Sequence, residues 1–157
     1  MREPDLPTPI MADPIYVHVA KASVKSIFDS KHKAKVQEAL RKRILRVLEK
    51  SRKLSTKEPR SKEDKAKEGF YIDPAVERLV MGEVKGKTLI AIEIRLTVAT
   101  WPRKKMLFFA PGKAKYEVAK PDKVQGDVVF LVESVAQDVM EKKVLKELER
   151  RLKSLQT

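Results

Sequence analysis

The chain has 157 residues, of which 42% are hydrophobic, 36% charged and 6% aromatic; its net charge is +13 and it contains no cysteine. That length suits one domain burying about 70% of the surface its unfolded form exposes, and without cysteine there are no disulfides or thiolate metal sites. The longest apolar runs are strand-length, short of the roughly 20 residues a membrane helix needs.

Residues 1–13 hold Pro4, Pro7 and Pro9, with Pro14 next in line. Proline denies the backbone helix and ladder hydrogen bonds, so this stretch reads as a flexible arm ahead of a single domain at 14–157. No apolar run follows a basic patch there, and no signal peptide is expected. The expected setting is cytoplasmic by default, with an exported mature form left open. Ile15, Val17 and Val19 then share one face of a short first strand.

Asp29 or Ser30 caps a predicted helix running to about Lys53, with Val36, Leu40, Ile44, Val47 and Leu48 in one apolar stripe. Lys35, Lys42, Arg43, Arg46 and Lys50 lie around the rest of that helix, and residues 31–67 carry 15 Lys or Arg against 5 Asp or Glu. Basicity this local favours an anionic partner, an acidic protein or nucleic acid ahead of a membrane surface. A solvated helix face is the plainer reading of the same residues. Residues 55–68 hold no large apolar side chain and read as a mobile, charge-mixed loop.

Gly69 to Pro74 reads as a turn into a strand around Val76–Val84, and Lys85-Gly86-Lys87 turns that strand into the central one. In the central strand Ile90, Ile92, Ile94, Leu96 and Val98 alternate with smaller or polar residues, a period of two that puts five large apolar side chains on one face. Burying them contributes on the order of 10 kcal/mol before entropy is subtracted. Trp101-Pro102 ends this strand; Met106, Phe108 and Ala110 begin a third one, broken at Pro111-Gly112 and resumed through Ala114 to Val118.

A last helix is predicted over 127–155, capped by Asp127. Val128, Val132, Val135 and Val139 form one stripe; Leu145, Leu148, Leu152 and Leu155 form another, rotated around the helix. The two halves are expected to face different things. The leucines pack within the chain or, as a short coiled-coil seam, on another subunit. Trp101, beside Arg103, Lys104 and Lys105, either covers one end of the core or, as an exposed interface residue flanked by cations, stacks a base or anchors at a membrane interface.

The predicted fold is thus α+β, a mostly antiparallel sheet in the order β-α-β-β-β-α with two helices on one face. His18 and His32 have no partners at metal-ligand spacing, and no phosphate-cradling glycine loop or nucleophile elbow occurs, so no metal, cofactor or catalytic residue is expected.

The order Gly69-Phe70-Tyr71-Ile72-Asp73, a hairpin, Trp101-Pro102-Arg103 and Gly112-Lys113-Ala114 resembles an uncharacterised family of small bacterial cell-envelope proteins. Their corresponding segment similarly reads Gly-aromatic-x-x-Asp, aromatic-Pro-basic and Gly-x-Ala. The resemblance covers 69–118 and implies a non-catalytic α+β module, often exported, with no catalytic residues to carry over. The functional expectation is a non-enzymatic assembly or adaptor module, oligomeric, whose basic helix engages an acidic partner. The alternative is a sequence-independent nucleic-acid binder using Lys35, Lys42, Arg43, Arg46 and Lys50.

Overall fold

A computed structural model describes residues 14–62, 67–118 and 124–155. The expected arm at 1–13 and the centre of the charged loop, 63–66, lie outside the described residues. The elements are β1 (Ile15–Val19), β2 (Ser23–Val24), a 3-10 turn (Ser30–His32), α1 (Lys33–Glu49), β3 (Leu54–Ser55), β4 (Gly69–Val84), β5 (Lys87–Trp101) and β6 (Met106–Glu117). The last element is one continuous helix, made of α2 (Val124–Val139), a π-helical turn (Met140–Val144) and α3 (Leu145–Leu155). The fold is α+β: one sheet in the order β3-β1-β4-β5-β6, with β2 also on β4 and helices covering one face.

The antiparallel meander β4-β5-β6 forms most of the sheet, while β1 and β2 lie parallel to β4 and β3 parallel to β1. As the alternation requires, Ile90, Ile92, Ile94, Leu96 and Val98 are all buried against the helices. The hairpin between β4 and β5 has a two-residue loop, Lys85 and Gly86, both at positive φ as a type I′ turn demands.

Four expectations are corrected by the structure. First, Gly69 to Pro74 is not a turn but the start of β4, and the reason lies at Pro74. Ile72 O accepts from Ala20 N and Val76 O from Lys25 N, so the missing N–H of Pro74 falls on the same side, in the gap between β1 and β2 where no ladder partner needs it. Second, β6 runs unbroken through Pro111. It is an edge strand, and Pro111 O is taken by Lys143 Nζ at 2.6 Å on the side away from β5. Third, α1 ends at Glu49, so that buried Leu54 can join β3 beside β1. Asp29 does cap, its carboxylate accepting from Lys31 N at 3.1 Å at the 3-10 turn that leads into α1.

The fourth correction concerns the last helix, which starts at Val124 rather than Asp127 and whose two stripes face one core. Val128, Val132, Val135, Val139, Met140, Val144, Leu148 and Leu152 are all buried. The π turn holds one residue more than an α turn, with Leu145 N donating to Met140 O, and each extra residue turns the remainder of the helix back by about 100°. That shift brings the leucine stripe round towards the valine stripe. Close packing reinforces it: a Cβ on Gly112 of β6 would lie 2.2 Å from Val139 Cγ2, so the helix sits against bare backbone there.

Candidate binding site at the aromatic end of the open sheet face

Because Ile15, Val17 and Val19 turn inward, Tyr16 and His18 of β1 stand on the face the helices leave open. The register places His18 beside Tyr71 of β4, Tyr71 opposite Ala99 of β5, and Gly69 opposite Trp101. Four rings from three strands therefore gather at one end of the sheet. His18 and Trp101 stack with centroids 4.2 Å apart and planes 5° from parallel. Tyr71 lies 5.7 Å from His18 and 5.9 Å from Trp101, nearly parallel to both. Tyr16 meets His18 and Trp101 edge-on, each at 6.0 Å. All four rings are partly exposed.

Gly69 makes the gathering possible, since a Cβ on it would lie 2.4 Å from the backbone oxygen of Tyr16 and would push β1 off β4. The Tyr16 hydroxyl and His18 Nδ1 are hydrogen-bonded at 2.8 Å. Burial lowers the His18 pKa from its ordinary value, Arg41 and Lys104 push the same way, and Glu58 opposes them. Burial raises the Tyr16 hydroxyl, with Glu58 adding to the rise and Arg41 opposing it; burial and then Asp73 raise Tyr71. With the imidazole neutral and the hydroxyl donating, its own proton sits on Nε2.

Cations border the rings. Arg41 of α1 anchors its Nε on Val19 O at 3.2 Å, at the end of β1. Lys104 stands in the turn between β5 and β6 at φ 59, a conformation that costs a non-glycine residue roughly 1 kcal/mol. Three bonds hold that turn: Lys104 N to Thr100 O at 2.8 Å, Thr100 N to Lys105 O at 2.9 Å, and Lys105 N to Thr100 Oγ1 at 3.0 Å. From that turn Lys104 Nζ stands over the Tyr71 ring, 4.9 Å from its centroid.

The residues singled out from sequence are distributed differently. Lys35, Lys42, Arg46 and Lys50 are exposed on or just after α1, and Lys42 Nζ lies 2.6 Å from Glu38 on the preceding turn. Arg43 is half-buried and ties α1 to α2 through the Glu133 carboxylate and, at 3.4 Å, Gln137 Oε1. Trp101 belongs to the ring stack. Leu148 and Leu152 are buried in the chain's own core, Leu145 is half-buried, and Leu155 ends α3. Sequence reasoning missed Tyr16, His18 and Tyr71 as companions of Trp101. Only the outward phase of Tyr16 and His18 hinted at them, and the strand register completes the cluster.

A second cleft, about 500 Å³, opens beside Pro111. It is bordered by Glu77, Glu93 and Asp138 against Arg95, Lys113 and Lys143, a balanced set that selects neither sign of ligand. Among the described residues no group of three or more His, Cys, Asp or Glu could hold a metal ion, and no helix is long and apolar enough to cross a membrane.

No protein-family model matches the sequence, and no curated protein matches it. Solved structures do share its fold. A Xanthomonas campestris protein of the DUF330 family aligns at a TM-score of 0.59 and 15% identity, over 96% of this chain and 94% of that one. A hypothetical protein from Chlamydia trachomatis gives 0.58 and 13%, over 82% and 95%. A PelC variant from Paraburkholderia phytofirmans, a dodecamer, gives 0.53 and 12%, over 84% and 90%. The likeness is one of fold.

Proposed function

We propose that the chain is a non-enzymatic assembly or adaptor module that forms an oligomer and engages an acidic protein partner through α1. The observation that carries the reading is the division of labour among the α1 cations. Arg43 is spent on holding α1 to α2, whereas Lys35, Lys42, Arg46 and Lys50 stay on the exposed side with few acids among them. A surface of that kind attracts a polyanion by summed charge rather than by a fixed pocket. The dodecamer formed by PelC, which shares the fold, supports the oligomeric part.

The test is binding of labelled polyglutamate, monitored by anisotropy across a salt series, alongside light scattering of the same sample. Binding that weakens with salt and falls about tenfold or more in the Lys42→Glu, Arg46→Glu double variant is expected, together with a defined oligomer. Unchanged binding in that variant, or a monomer at all concentrations, overturns the corresponding half. Duplex DNA bound through the same residues more tightly than polyglutamate would replace the acidic protein with nucleic acid.

A further inference from the structure

The ring cluster explains nothing in that reading, and it lies on the sheet face opposite the helices. We infer that this end of the sheet binds single-stranded nucleic acid, stacking bases on the exposed parts of Trp101, His18 and Tyr71 and meeting phosphates with Arg41, Arg103, Lys104 and Lys105.

Two features of the surface select this ligand. The rings are held by one another, with Trp101 and His18 only 4.2 Å apart. They are fixed before a ligand arrives, and little freedom is lost when a base stacks on them. The charge felt at the rings comes from Arg41 and Lys104 against Glu58 and Asp73, and the exposed Arg103 and Lys105 on either side of Lys104 tip the turn towards cations. An apolar protein surface would use the rings and gain nothing from the cations; an acidic peptide would use the cations and leave the rings idle. A duplex shows phosphates but keeps its base faces inside. A single strand alone offers planar bases and phosphates on adjacent atoms. Lys104 points the same way, because a strained conformation that glycine would take without cost is kept for a lysine whose ammonium is set over Tyr71.

Trp101 is the single tryptophan of the chain, so its emission reports this surface directly. Titrating the full chain with a short oligothymidylate is expected to quench that emission saturably. With four phosphate contacts, log affinity should fall by about 3 per decade of salt, at roughly 0.7 per contact. Anisotropy of the labelled oligonucleotide should show about tenfold weaker binding for Trp101→Leu and for Lys104→Glu, with Trp101→Phe retaining most of the affinity. Lys104→Glu alters an exposed side chain and its thermal unfolding checks that the fold is intact. The Lys42→Glu, Arg46→Glu pair should leave the quenching at saturation unchanged, which separates this surface from α1. Three results overturn the inference: oligonucleotide binding without a change in Trp101 emission, equal quenching by polyglutamate, or equal competition by a duplex of the same length.

Discussion

On α1 the exposed cations stand on long side chains in water, and Lys42 pairs with Glu38 of the same helix. At the aromatic end of the sheet there are four, Arg41, Arg103, Lys104 and Lys105, one fewer than Lys33, Lys35, Lys42, Arg46 and Lys50 along α1, yet Arg41 is pinned by Val19 O and the backbone of Lys104 is held by a turn closed with three hydrogen bonds. The first surface has charge in number and the second has charge in position. Number favours any polyanion and is screened evenly by salt; position favours a ligand with matching geometry. α1 contributes to both, since Arg41 reaches round to the strand while Lys42 and Arg46 remain in solvent.

The largest effect that would break this contrast is expected from Gly69→Ala. The new methyl meets Tyr16 O, so β1 must leave its place on β4 and take Tyr16 and His18 with it. A cost of about 3 kcal/mol is expected, lowering the thermal midpoint by about 6 to 12 °C. Trp101 emission should shift as His18 unstacks, while polyglutamate binding at α1 persists in the folded fraction. Calorimetry and fluorescence on one sample check both.

Next in size is a difference within α1 itself. Arg43→Ala removes a half-buried tie to Glu133 and Gln137 and should cost about 1 to 2 kcal/mol in urea unfolding. Lys42→Ala, one residue earlier and exposed, should stay within about 0.5 kcal/mol. Equal effects would mean that Arg43 is no more structural than its neighbour.

Lys104→Gly should work in the opposite direction. Relief at φ 59 is expected to stabilise the chain by roughly 1 kcal/mol, read as a higher urea midpoint, while oligothymidylate binding weakens. Stability and binding moving apart in a single variant would sharpen the distinction between positioned charge and counted charge.

The smallest effect is a pH dependence at the ring stack. Burial holds His18 below its ordinary value of 6.5, so the unfolded chain takes up a proton before the folded one does. This contribution to stability is complete above about pH 6.5 and is lost as pH falls from there through the folded value. His18→Gln should flatten the stability profile in that window, and an NMR titration of the ring should find its midpoint below that of a free imidazole.

Much of the frame was legible in the residues. The five alternating aliphatics of β5, the glycine-bearing turn at Lys85-Gly86 and the stripe of Val36, Leu40, Ile44, Val47 and Leu48 each carry their own period and need no distant partner to be read. What was not legible depends on neighbours. Pro74 looks like a breaker until β1 and β2 are seen to leave a gap beside it, and Pro111 likewise until β6 is known to be an edge. Arg43 looks like any other basic side chain until α2 brings Glu133 to it. The ring cluster is the clearest case: Tyr16, His18, Tyr71 and Trp101 are scattered over 86 positions, and only the pairing of three strands makes them adjacent.

The π turn at Met140–Val144 has an effect on how this chain tolerates changes in length. In an ordinary surface helix the loss of one residue scrambles the half beyond it; here the helix already contains a surplus residue, and removing it would regularise the backbone hydrogen bonds while rotating Leu148 and Leu152 towards water. Local regularity and global burial therefore pull against each other at this one place. A shortened helix would be the better helix and the worse lid for the sheet.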